Sequence, residues 1–400
     1  MDASFIIFAF TYLVIAIGQP PIFRIDRTGA AIIGASLMVV FEVISVYDAY
    51  EAIDYRTILI LFGMMVLIAN MRLSGFFQIV QSFILSRVKS PLFLLYLIIF
   101  ICGILSAFFI NDTVCLIFAP FLLELTRRLN LNSKPYLLAL CMSANIGSVA
   151  TITGNPQNII IGAASGISYG SFFIKLFPVA FVGLIILAFI LTLCYKKELS
   201  KKIEEISEIR YRFNYPLLIK SSLAAIITLF LFFTGIAMEV VSIGIASFLL
   251  ITRRIKPEKV YNLIDFRLLI LFIGLFIVIK GFEKSIIFEN FVEHFSELVK
   301  TPISLAVSSA VLSNIVSNVP AVLVFKPVIG NFTDTESAWL TLAMSTTLAG
   351  NLTIVGSIAN IIVLEIASQR VKITLKEYMK FGIPVTVLTI AAGLLILSFY

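Results

Sequence analysis

The chain is 400 residues long, 60% hydrophobic and only 13% charged, with a mean hydropathy of +1.05. A water-soluble globule cannot wet its surface with so few polar side chains, and a transmembrane β-barrel needs alternating strands where this chain has continuous apolar runs. The net charge of +7 is gathered in loops between those runs, so it marks membrane topology and not a nucleic-acid partner: the chain reads as a polytopic helical membrane protein.

In chain order, residues 3–23, 29–47 and 55–71 read as three spans. No basic leader precedes the first, so it is expected to be a span and not a cleaved signal. The amphipathic segment 76–88 reads as interfacial. Residues 92–126 are interrupted at "INDT" and flanked by Arg87 and Lys89 on one side and by Arg127 and Arg128 on the other. Like charges at both ends predict a re-entrant hairpin. Residues 135–165, broken at "TGNPQN", and the span 171–195 complete a first half. The longest polar stretch follows, and 196–215 reads as a cytoplasmic linker. The second half, 216–400, opens on the span 216–235. Later come an amphipathic segment (281–299), a hairpin (302–333) with "SNVP" at its tip, a broken span (337–367) and a last span (379–399).

The second half repeats the first. "IDYRTILILFG" from Ile53 recurs as "IDFRLLILFIG" from Ile264, aligned with one inserted residue. Asn111 and Pro120 recur as Asn318 and Pro327, and "TITGNPQNIII" recurs as "TIVGSIANIIV". Each half crosses five times, an odd number, which predicts an all-α fold of two inverted-topology repeats, 1–195 and 216–400. The basic loops share one side, from Arg24 and Arg27 through Lys134, Lys196–Lys220 and Arg253–Arg267 to Arg370–Lys380. The positive-inside rule makes that side cytoplasmic and puts both termini outside.

Backbone without helical hydrogen bonds is tolerated at membrane depth only where protein or a watery cavity surrounds it. Paired interruptions at matching places of two inverted halves point to a transporter's binding site. Two hairpin tips and two broken spans should therefore converge. Their candidate substrate- and ion-binding residues are Asn111, Asp112, Thr113, Asn145, Thr151, Thr153, Gly154, Asn155 and Asn158 in the first half. In the second they are Ser317, Asn318, Thr347, Asn351, Gly356, Ser357 and Asn360. Helix restarts offer N–H groups to an anion, and the carbonyls where helices stop suit a cation such as Na⁺. Asp112 is the acid expected deep in the membrane besides Glu42, and a carboxylate there is a functional candidate by default. A coupling role, as proton carrier or Na⁺ ligand, competes with a plain helix cap. Lys326, near the second tip, either draws in anions or snorkels outward. Cys102, Cys115, Cys141 and Cys194 lack metal-ligand spacing, and a single histidine, His294, makes neither a metal site nor an enzyme's acid–base pair. No cofactor is expected beyond Na⁺ as a candidate coupling ion.

The stretches "IDYRTILILFGMMVLIANMRLSGFF", "FINDTVCLIFAPF" and "SANIGSVATITGNPQNIIIG" resemble signatures of the arsenite permease and pink-eyed-dilution-protein group, within the ion transporter superfamily with the citrate-transporter-like domain. The resemblance implies a homodimer in the cell membrane with a scaffold (here spans 3–71) and a mobile transport domain working as an elevator. It also implies that hairpin tips and broken spans hold solute and coupling ion, and it admits a partner ATPase subunit, since the chain has no phosphate-binding loop of its own. Where the dicarboxylate branch carries Ser-Asn-Thr tips, this chain has Asn111-Asp112-Thr113 and Ser317-Asn318-Val319, which favours a small inorganic solute such as arsenite or antimonite, coupled to H⁺ or Na⁺. A Na⁺/H⁺ antiporter and a di- or tricarboxylate symporter stand as alternatives, with a channel behind them.

Overall fold

The structure, a computed structural model, describes residues 2–18, 24–201, 213–253, 255–368 and 370–400. Most of the expected linker and the side chain of His294 lie outside the described residues.

The first half forms α1 (Ala3–Ile17), α2 (Arg27–Val40), α3 (Val46–Glu51), α4 (Tyr55–Ser74), α5 (Phe76–Arg87), α6 (Pro91–Phe108), α7 (Asn111–Arg128), α8 (Lys134–Ser148), α9 (Pro156–Ser165) and α10 (Tyr169–Cys194). After the short α11 (Lys196–Leu199) the second half forms α12 (Tyr215–Phe233), α13 (Met238–Leu250), α14 (Pro257–Tyr261), α15 (Phe266–Glu283), α16 (Ile286–Leu298), α17 (Pro302–Val316), α18 (Asn318–Ile329), α19 (Thr335–Ala349), α20 (Ile358–Ser368) and α21 (Leu375–Leu397). The order is that of the first half, element for element, down to a 3-10 turn in each broken segment (Ile152–Gly154 and Ile354–Gly356). Of the described helices, α4, α6, α10, α12 and α21 are by themselves long and apolar enough to cross a membrane. The helices of the second hairpin and of both broken spans are shorter, at 10–15 residues, whereas α6 and α7 of the first hairpin have 18 residues each.

Repeated local signals start equivalent helices. Asp54 caps α4 through the Arg56 and Thr57 N–H groups, and Asp265 caps α15 through that of Leu268. Ser90 and Thr301 cap α6 and α17, and each is followed by a proline at the first helical position. Two expectations are corrected. The expected span 29–47 ends at Val40: Glu42 is exposed in a left-handed turn (φ 55°) and is no intramembrane acid. The repeat from Ile53 and Ile264 needs no inserted residue, because Gly63 and Gly274 hold equivalent places in α4 and α15.

Those glycines show how the halves interlock. A Cβ on Gly63 would lie 2.5 Å from the Ser242 backbone of α13, and one on Gly274 would lie 2.8 Å from the Ala31 backbone of α2. In the absence of a driving force between helices in lipid, small residues that admit close backbone approach set such contacts. So α4 packs on α13 and α15 on α2, each crossing between halves, while α6 packs on α8 and α17 on α19 within a half. Ion pairs obey the same exchange with charges reversed: Lys134 of α8 meets Glu377 of α21 at 2.7 Å, and Lys175 of α10 meets Glu336 of α19 at 2.9 Å.

Candidate functional site

Both hairpin tips are two helices joined with almost no loop. The first turns through extended Phe109, and α7 begins at Asn111. The second turns at Ser317, a non-glycine residue at φ 78°, a conformation that costs free energy unless its surroundings enforce it. In the broken segments one amide closes each loop in the same way. Asn158 Nδ2 donates to the carbonyls of Ser148 (3.1 Å) and Thr151 (3.0 Å), and Asn360 Nδ2 donates to those of Gly350 (2.6 Å) and Thr353 (3.1 Å). The N–H of Asn158 also donates to the Asn155 side chain at 2.9 Å, which caps α9.

These pieces are knitted together by Asn145. Its Nδ2 donates to Asn351 Oδ1 (2.9 Å) and Asn360 Oδ1 (3.2 Å), and its Oδ1 accepts from Asn111 Nδ2 (3.0 Å) and Ser357 Oγ (2.9 Å). An amide can do no more, so one buried side chain ties the first tip and the second broken segment together. Thr347 Oγ1 accepts from Asn155 and Gln157, both at 3.2 Å. With the Asn318 amide turned so that its nitrogen faces the Thr346 and Gly356 carbonyls, its oxygen accepts from Gln157 Nε2 at 3.0 Å, which joins the second tip to the first broken segment. Thr151 donates to the Ala107 carbonyl, and Thr153 bonds the Tyr169 hydroxyl at 3.0 Å.

Two cavities meet at Asp112. The first, about 40 Å³, is lined by Asn111, Asp112, Gln157, Ser317, Asn318 and Ser357, with Arg27 and an apolar wall that includes Ile15 and Phe272. The first residues of α7, α9, α18 and α20 all border it, so four helix N-termini, each carrying partial positive charge, converge on one small space. Asn111 is buried (3% exposed), and its Oδ1 has no partner among the described residues. The second cavity, about 130 Å³, is bordered by Asp112, Thr113, Arg72 and Asp265.

The candidate residues therefore divide. Asn111, Asp112, Ser317, Asn318 and Ser357 line the first cavity and Thr113 the second. Asn145, Thr151, Thr153, Gly154, Asn155, Asn158, Thr347, Asn351, Gly356 and Asn360 border neither. Apart from the two glycines, their side chains bond to one another or to nearby backbone. Lys326 is exposed, and α18 carries it away from the cavities. Four polar or charged residues that border the cavities were not among the candidates: Gln157, Arg27, Arg72 and Asp265. Gln157 stood inside the quoted motif and Arg27 read as a loop charge, whereas nothing local in the sequence singled out Arg72 or Asp265. Among the described residues, no group of three or more His, Cys, Asp or Glu could hold a metal ion.

A helical bundle with interrupted segments around a shared polar cavity defines a polytopic membrane transport protein. Residues 12–349 match the family model described as citrate transporter, so the chain belongs to that family. It is 30% identical to the silicon efflux transporter LSI3 of Oryza sativa subsp. japonica, over 94% of this chain and 93% of that protein. It is also 30% identical to a 46 kDa membrane protein of Mycobacterium leprae, over 96% and 95% of the two chains. In fold it is similar to the Alcanivorax borkumensis YdaH transporter, with a TM-score of 0.60, 11% identity and coverage of 100% and 98%. The protein is an integral multi-pass membrane transporter, not an enzyme.

Proposed function

We propose that the protein is a secondary carrier of a small inorganic oxyanion or oxyacid of the arsenite or antimonite kind, coupled to H⁺ or Na⁺ through Asp112. The observation that supports it is the convergence of four helix N-termini and one carboxylate on a cavity of about 40 Å³. N–H groups at helix starts bind anionic or oxygen-rich solutes, and the space is on the scale of a few waters. The silicon transporter among its relatives fits an oxyacid, whereas a citrate-sized solute exceeds this cavity. The family's citrate description keeps a carboxylate symporter as the second reading.

In this reading the halves are inverted repeats, the basic loops face the cytoplasm and both termini lie outside. The scaffold draws α1, α2 and α4 from the first half and α12, α13 and α15 from the second, and the hairpins and broken segments move against it as an elevator. A homodimer and a partner ATPase subunit follow from the family resemblance, and native mass spectrometry of the complex isolated from membranes tests both.

Asp112→Asn should abolish gradient-driven arsenite uptake into proteoliposomes while expression and folding stay intact. Retained pH- or Na⁺-dependent uptake in that variant removes the coupling role. Uptake of citrate but not arsenite by the unaltered protein selects the second reading.

A further inference from the structure

The two cavities that share Asp112 differ in charge. Around the first, Arg27 balances Asp112, and the helix N-termini add partial positive charge. Around the second, Asp112 and Asp265 outnumber Arg72, leaving one net negative charge. Neither Arg27 nor Arg72 makes an ion pair among the described residues, so both guanidinium charges are free to act on the cavities they border. Asp265 is exposed at the start of α15, at the mouth of the second cavity, whereas Asp112 lies further in, in the first turn of α7. The other titratable groups of α7 (Cys115, Glu124, Arg127, Arg128) and of the elements packed against it (Tyr96 and Cys102 on α6, Lys134, Tyr136 and Cys141 on α8, Glu365 on α20) border neither cavity.

We propose that the second cavity is a separate approach for the coupling ion, through which a proton or monovalent cation reaches Asp112 past Asp265, while solute occupies the first cavity on the other side of the same carboxylate. One positive charge neutralises the second cavity. A divalent cation would leave it positive, beside Arg72. The arrangement lets ion and solute meet at Asp112 without sharing a path, so each can load in the presence of the other. Asp265 acts as a positioning residue: it attracts the ion and does not hold the solute. The inference rests on Asp112 being the coupling carboxylate.

The test probes access by charge and needs no solute. In the full-length protein with Cys194→Ser, reconstituted in liposomes, Thr113→Cys reports on the second cavity and Ser357→Cys on the first. Each is labelled with a cationic (aminoethyl) and an anionic (sulfonatoethyl) methanethiosulfonate. We expect the cationic reagent to modify Thr113→Cys about ten times faster than the anionic one. Adding Asp265→Asn, which keeps an oxygen to cap α15, should bring that ratio close to one and leave the ratio at Ser357→Cys unchanged. Slowing of Thr113→Cys labelling by Na⁺ relative to choline identifies the ion as Na⁺, and slowing by a pH drop that Asp112→Asn abolishes identifies it as the proton, since protonation of the reacting thiol itself slows both variants alike. An unreactive Thr113→Cys, a ratio near one, a ratio indifferent to Asp265→Asn, or protection by neither ion overturns the proposal. If instead the labelling follows expectation but Asp112→Asn still supports gradient-driven uptake, the coupling reading fails while the cation path stands.

Discussion

Asparagine carries two different tasks in this site, and the difference decides what each substitution does. Asn158 and Asn360 each donate to two carbonyls of a broken segment; those of Ser148, Thr151 and Thr353 also accept one longer bond, and that of Gly350 depends on Asn360. Removing a donor from a buried acceptor costs about 1–3 kcal/mol for each group left unpaired. Asn360→Ala and Asn158→Ala should therefore destabilise the protein by about 1–3 kcal/mol, read as a fall in thermal midpoint in detergent. Asn111→Ala removes a single bond to Asn145 Oδ1, which still accepts from Ser357, so its stability cost should be smaller and solute-induced stabilisation should be lost. Equal destabilisation by Asn111→Ala would contradict this division. Away from the membrane-depth segments, Asp48 on α3 bonds Lys284 at 2.5 Å, and this bond, with help from Ser45, holds its carboxyl down at about 2. A depressed carboxyl adds stability that is complete above the ordinary carboxylate range and lost as pH falls through about 2. Asp48→Asn should accordingly lower stability somewhat at neutral pH and so flatten its loss between about pH 4 and pH 2, measured by acid unfolding.

At the scale of elements, packing is decided by small residues and by pairs that the two halves share. Gly63→Ala would drive a methyl group into the Ser242 backbone, and Gly274→Ala would do the same at Ala31, so each should cost about 1–3 kcal/mol by overpacking. A thermal-melt series in detergent checks both, and a neutral result at either position would show that α4–α13 or α15–α2 can separate freely. The Lys134–Glu377 pair lies partly exposed and should contribute little to stability. The exchanged variant Lys134→Glu with Glu377→Lys should therefore keep wild-type stability, whereas a deficit restored by neither exchange nor salt would mean that the site uses one of these charges otherwise.

For the whole molecule, sidedness and repeat symmetry are one question. If the halves are inverted, the 130–134 connection after the first hairpin and the 331–334 connection after the second lie on opposite faces of the membrane. Single cysteines at Asn132 and Asp334 should label with an impermeant reagent from opposite sides of oriented vesicles, Asn132 from the cytoplasmic side. Labelling of both from one side would end the inverted arrangement.

Much of this was legible in the chain itself. Apolar run length sets helices of membrane dimensions, and Gly, Pro and Asn in "TGNPQN" break one wherever they stand. The copy of "TITGNPQNIII" at Thr353 places a second break at the matching point, and Asp112 marks itself as a carboxylate among apolar neighbours. These are local or compositional facts, carried by the order of residues alone. Which broken-segment side chains face space and which face one another was decided only by the fold. Asn158 and Asn111 look alike in sequence, but one folds back onto its own loop while the other borders a cavity with a free oxygen. Arg27, Arg72 and Asp265, far apart in the chain and ordinary in their local settings, come to the cavities that Asp112 borders because α2 packs on α15 and α15 lies beside α4. Their distance from Asp112 along the chain says nothing about that meeting, since helix packing, such as the close backbone contact of α15 with α2 at Gly274, and not sequence neighbourhood, brings them together.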